Sequence, residues 1–336
     1  MTEEIQNNLP KRKNLLQFKE FGVLSTTIIV FILVAIIEPR FLMYDNLRSV
    51  MLFFPLIMVV AMGEMMVVLT GNIDLSVGSI LGFSGMTVGL LFIRIENFPI
   101  VPAFILGTLV GLALGLFNGL LISKLKLPAI IVTLGTLNAY RGLLFIISRG
   151  IQIDPNYIPE KLIKLSQTSP IVVPWIIIFA LLIAIITHFF MKYTHLGREI
   201  YAFGSNKKAA RLRGINMDKL IILTYGIAGA LAGFAGIMYA SRFGYVNPGM
   251  SGVGFEFTVI AATIIGGVTV TGGSGSVFGV VMGCILLGIV NTALAVLGIS
   301  AFWQQAMYGI IIILALIIDK LLQNRMSFIK KGNQNA

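Results

Sequence analysis

Ten apolar runs, each near the length of a bilayer crossing, leave this chain little choice of fold. They fall at roughly 21–37, 51–70, 76–93, 101–122, 128–147, 171–191, 219–240, 255–270, 276–297 and 301–318. A membrane-spanning helix needs about 20 apolar residues, and its backbone groups must be satisfied inside the segment because lipid offers no partners. The expected fold is an all-α polytopic membrane protein with about ten transmembrane helices. Composition agrees: 57% of residues are apolar and only 12% charged, where soluble domains carry roughly a quarter charged residues. The mean hydropathy is +0.93.

Charge placement orients the chain. A net charge of +11 invites a nucleic-acid reading, but no domain-sized basic face or base-stacking motif accompanies it. Most of the 25 Lys and Arg residues fall on the connections that share a side with the amino terminus, which places both termini in the cytoplasm. The first run follows Lys11, Arg12, Lys13 and Lys19 without a small-residue cleavage site, so it reads as an uncleaved span. The domain reading is a cytoplasmic tail at 1–20, one transmembrane domain at 21–322 with a loop at 192–218, and a cytoplasmic tail at 323–336. Cys284 stands alone and His188 and His195 are scattered, so no disulfide or metal site is expected. No Gly-Lys pair, HExxH, GxSxG or CxxC occurs, which removes the phosphate loop and the common hydrolytic centres. An enzyme is not expected.

Two Gly-rich, polar interruptions break the apolar pattern. GNIDLSVGSILG (71–82) and VTVTGGSGSVFG (268–279) resemble each other, and LGLFN (114–118) resembles LGIVN (287–291). An ancestral duplication with an insertion would produce this, and so would shared small-residue packing. Interrupted helices in two halves point to a translocation pathway. Asp74 is the sharpest residue there, because a carboxylate in the bilayer centre costs roughly 2.5–3.5 kcal/mol on insertion scales. Either it caps the next helix start, as Ser76 also could, or it lines the pathway. Asn72, Ser76 and Ser79 add uncharged groups suited to a polyhydroxylated solute. Thr133, Thr136 and Tyr140 share one helix face and form either a polar track or bonds back to nearby carbonyls. Glu64 is expected to pair with Arg141 or with a backbone group.

The stretch 192–218 is a basic island between two spans. Ser205 or Asn206 can cap a helix and Gly214 can end it, leaving KKAARLR as under three turns. So short a helix is unstable alone in water. With Ala209 and Ala210 on its surface, it reads as a coupling element that docks on a partner.

The chain resembles the permease subunits of bacterial carbohydrate ATP-binding-cassette importers, the ribose, rhamnose and autoinducer-2 group. GNIDLSVGSI (71–80), LKLPAIIVTLGTLNAYRG (125–142), GREIYAFGSNKKAARLRGI (197–215) and AATIIGGVTVTGGSGSVFGVVMG (261–283) carry the resemblance. The more usual motif has two glycines before the Ile-Asp pair, and here Asn72 takes the second place. That variant is similar to the autoinducer-2 and rhamnose branches. The resemblance implies a bacterial inner-membrane importer for a monosaccharide or sugar-like solute. Its partners would be a cytoplasmic ATPase holding ATP and magnesium, a second permease subunit, like or unlike, and an extracytoplasmic binding protein. This chain would hold no cofactor. Gly197, Arg198, Gly204, Ser205, Asn206, Ala209, Ala210, Arg211 and Gly214 would form the coupling segment. The pathway would take Asn72, Asp74, Ser76, Ser79, Thr133, Thr136 and Tyr140. Arg149 and Arg242 would meet the binding protein, or remain ordinary solvated charges. A stand-alone proton- or sodium-driven carrier is the competing reading. The segments near 71–93 and 255–297 fit either full crossings or re-entrant pairs.

Overall fold

The computed structural model describes residues 12–167, 173–300, 302–314 and 317. Residues 1–11 of the expected amino-terminal tail and all of the expected tail at 323–336 lie outside the described residues. All ten apolar runs are helices: α1 (Arg12–Ile37), α2 (Tyr44–Leu69), α3 (Val77–Arg94), α4 (Ile100–Lys124) and α5 (Ala129–Ser148) come first. A short outer helix α6 (Glu160–Gln167) precedes α7 (Trp175–Tyr193), and the basic island folds into α8 (His195–Ser205) and α9 (Lys207–Leu212). The chain continues through α10 (Met217–Phe243), α11 (Phe255–Ile265) and α12 (Val277–Val296) to α13 (Phe302–Leu314). Eight of these are long and apolar enough to cross a membrane; α11 and α13 are shorter. The run expected at 255–270 stops at Ile265 because Gly266 and Gly267 turn the chain, Gly267 at φ +86°. Only glycine adopts that angle without strain.

Helix α2 is the centre of the molecule, buried without interruption from Pro55 to Leu69. Helices α7, α10, α11 and α12 pack around it, α3 packs on α10, α5 and α4, and α1 lies at the edge against α12. The closest pairing joins α4 to α10. A Cβ built on Gly229 would lie 2.7 Å from Gly115 Cα, and one on Gly111 would lie 2.8 Å from Gly233 Cα. Small residues let two backbones approach where lipid gives no hydrophobic drive for association.

Two segments outside the spans form one layer. Residues 150–158 and 243–254 join through an isolated antiparallel bridge, Ile153 with Val246, by bonds of 2.9 and 3.1 Å. Asn247 Nδ2 donates to Gln152 Oε1 (2.9 Å), and Ser241 Oγ donates to Leu162 O in α6 (2.6 Å). Beside them Lys164 lies 2.6 Å from Glu160 and holds that carboxyl below its ordinary range.

The two interruptions open their helices differently. Gly78-Ser79 sits inside the first turn of α3, whereas its sequence partner Gly275-Ser276 lies before α12. Asn118 lies in α4 and Asn291 in α12.

Candidate translocation gate and coupling surface

The break after α2 is built around Asp74. Gly71 at φ +73° turns the chain, and the Asp74 backbone N–H donates to Glu64 Oε1 at 3.1 Å. Glu64 therefore pairs with backbone, while Arg141 donates to Ser251 O (2.7 Å) instead. Asp74 Oδ1 accepts from Ser76 N (2.8 Å) and Ser76 Oγ (2.6 Å), so it satisfies the donor that opens α3. Asn118 Nδ2 donates to Ser76 Oγ (2.8 Å), and Tyr140 Oη donates to Asn118 Oδ1 (2.9 Å) and Leu114 O (3.0 Å). Tyr225 Oη donates to Ile73 O at 3.2 Å. This is one connected polar network across α2, α3, α4, α5 and α10.

Its side chains are turned inward. Asp74, Ser76, Ser79, Asn118 and Thr133 are fully buried, and Tyr140 and Thr136 nearly so. Thr133 Oγ1 donates to Ala129 O (2.9 Å) and Thr136 Oγ1 to Thr133 O (3.4 Å), both back to their own helix. Ser79 Oγ donates to Ser76 O (2.7 Å), while the half-buried Asn72 donates to Thr70 Oγ1 (2.9 Å). Asn118 is the network member that sequence reading had placed only in a repeat; its counterpart Asn291 bonds Gln304 instead (2.5 Å). Replacing Asp74 separates its two roles. Asp74→Ala strands the buried Ser76 N–H and should destabilise the protein by about 1–3 kcal/mol. Asp74→Asn keeps an acceptor oxygen and should melt near wild type. Thermal unfolding and uptake measured on both variants would show whether the charge itself serves transport.

The second break meets the first. Gly272 and Gly273, at φ +88° and +76°, bring the Gly273 N–H onto Leu69 O at 2.9 Å. Ser276 caps α12 by accepting from Gly279 N (3.1 Å). The end of α8 closes the junction: Tyr201 Oη donates to Gly275 O (3.0 Å) and Ser205 Oγ to Gly273 O (3.3 Å). Burial pushes the Tyr201 hydroxyl up to about 12. Gly204 is pressed against both breaks, since a Cβ there would overlap Leu69 O and Gly273 N.

The island presents its charges outward from that junction. Thr194 caps α8 through Gly197 N (3.0 Å), with Gly197 buried against the last turn of α7. Asn206 caps α9 through Ala209 N (3.0 Å). Gly214, at φ +77°, ends α9: its N–H reaches Arg211 O (3.0 Å) and the Ile215 N–H reaches Ala210 O (3.1 Å), a Schellman pair. Arg198, Lys207, Lys208, Ala209, Arg211 and Arg213 are exposed. Ala210, expected on the surface, is buried, and Leu212 is 90% exposed in its place. Only the helix register reveals an apolar side chain that bare in a cationic helix.

At the outer layer Arg149 is exposed and closes α5 at φ +52°. Arg242 differs. Its guanidinium is half-buried, 5.5 Å from the Phe53 ring centre and 4.8 Å from that of Phe243.

Residues 46–316 match the family described as the permease component of the branched-chain amino acid transport system. The chain is 33% identical over 319 residues to the autoinducer 2 import system permease protein LsrC of Escherichia coli K12/DH10B, covering 95% of this chain and 89% of that protein. The protein of the same name from Photorhabdus laumondii is 34% identical over 327 residues, covering 95% and 91%. That from Salmonella typhi is 32% identical over 319 residues, covering 95% and 88%. No solved structure matches. With most of its length matched, with membrane-spanning helices throughout, and with relatives this similar end to end, the chain belongs to this family of transport-system permease components.

Proposed function

We propose that this chain is the membrane-spanning subunit of an ATP-driven importer, and that it carries a sugar-like solute of the autoinducer-2 class. ATP and magnesium are held by a separate cytoplasmic ATPase, a second permease subunit completes the pathway, and an extracytoplasmic binding protein delivers the solute. One observation carries the reading: the end of α8 rests on both helix breaks at once. A push received on α9 passes through Gly204 and Tyr201 to Leu69, Gly273 and Gly275, and so to the starts of α3 and α12. The polar network around Asp74 is anchored to the same break, so displacement there reaches the candidate pathway residues. Free energy for such a change comes from differential binding of a partner to the two states. The permease, a transport component and not an enzyme, has no such source of its own. Arg149 and the outer layer would receive the binding protein through charge pairs that weaken with salt.

The test is a pull-down of tagged, detergent-solubilised protein with mass spectrometry. Wild type should recover an ATPase with two cassette domains. Arg211→Glu with Leu212→Asp should weaken recovery roughly thirtyfold if these residues act as an interface hot spot. A wild-type preparation free of ATPase would instead favour the gradient-driven carrier.

A further inference from the structure

A cleft of about 350 Å³ lies where the last turn of α4 meets the first turn of α10. Lys124 and Lys219 stand at its rim, and Leu116, Ile222 and Leu223 form its apolar wall. Asp218 also borders it, but that carboxylate is already engaged by Lys126 at 2.6 Å. The two rim lysines therefore set the field of the cleft.

Lys219 occupies an unfavourable place for a cation. It is the third residue of α10, where the helix dipole is positive and the first-turn N–H groups have no partner inside the helix. Its own N–H is taken by the Asn216 side chain at 3.0 Å, so an anion seated there would be drawn by Lys124, by Lys219 and by the positive end of the α10 dipole. The apolar wall then specifies what kind of anion. From the cleft, the outward face of α4 continues through Leu120 and Phe117, which are 45% and 50% exposed. In a membrane protein this face belongs to lipid chains. Cationic at one end and apolar along the other, the surface has the polarity of a phospholipid lying beside a helix.

We propose that this cleft binds an anionic phospholipid, with its phosphate between Lys124 and Lys219 and an acyl chain along Leu116 and the α4 face. Basic pockets at the end of membrane helices hold such headgroups by the same physics. The lipid would brace the start of α10 directly beside the Gly214 turn, steadying the platform from which α9 projects. The site needs only that the chain spans a membrane, so it stands independently of ATPase docking.

Native mass spectrometry of the full-length protein, taken from nanodiscs of mixed phosphatidylglycerol and phosphatidylcholine, tests it. Wild type should retain phosphatidylglycerol in preference to phosphatidylcholine. At about 1 kcal/mol for each lysine near an anionic surface, Lys124→Ser with Lys219→Ser should lower that retention roughly thirtyfold. Lys124→Arg with Lys219→Arg should restore it, and Lys207→Ser with Lys208→Ser, on the neighbouring α9 surface, should leave it unchanged. Unaltered melting of the serine variant in pure phosphatidylcholine shows that it is folded, and its undiminished ATPase recovery separates this site from the coupling surface. Equal retention of the two lipids, or retention unchanged in the serine variant, would overturn the proposal. So would displacement of the lipid by inorganic phosphate, which would identify a free-phosphate site.

Discussion

Gly229→Leu should sharply lower the yield of correctly folded permease in the membrane. On α10, Gly229 faces the α4 backbone so closely that a Cβ would lie 2.7 Å from Gly115 Cα and 2.9 Å from Gly115 N. These neighbours are main chain, so no flexible side-chain end can swing aside. The helices must part, and the Gly107, Gly111 and Gly233 contacts part with them. Overpacking costs typically about 1–3 kcal/mol and more where backbone has to move. Against a total stability of about 5–15 kcal/mol, that is a large fraction. Fluorescence-detected size exclusion of a tagged variant reads the outcome directly. Gly135→Leu on α5 is the matched control, because nothing lies within 4 Å of a Cβ there. A Gly229→Leu protein eluting like wild type would mean the α4–α10 contact is looser than these distances.

Gly204→Val should separate transport from assembly. Its side chain would have to enter the space held by Leu69 O and Gly273 N, wedging α8 away from both breaks. The exposed residues of α9 are untouched, so the ATPase should still co-purify. Uptake into proteoliposomes should fall roughly ten- to hundredfold, the rate equivalent of a repacking cost of about 1–3 kcal/mol. Normal uptake would dismiss the junction as a route of coupling. Loss of the ATPase as well would make Gly204 part of the docking surface itself.

The sequence discloses features whose cause is local and conceals those that depend on distant partners. Apolar runs announced all ten helices, and Asn206 with Gly214 announced both ends of α9, because span length and capping are set within a few residues. The junction was not legible. Gly273 and Leu69 are far apart in the chain, and nothing in either neighbourhood names the other. Periodicity put Thr133, Thr136 and Tyr140 on one face but could not say that the face turns inward to α3 and α4. Likewise, Ala209 and Ala210 look equivalent until the register of α9 buries one and exposes the other. Helix α6 went unnoticed because eight residues with Lys161 and Lys164 among them resemble a solvated loop. Its ordering comes from Ser241 and Ile153, which belong to other segments.

The bridge between Ile153 and Val246 has a bearing on how this permease family can diversify. Two stretches separated by some ninety residues share backbone bonds, a Gln152–Asn247 contact and the Ser241 anchor to α6. Neither can drift in sequence or length without straining the other. The outer face is thus a matched pair, and a graft of this layer onto a relative must carry both halves.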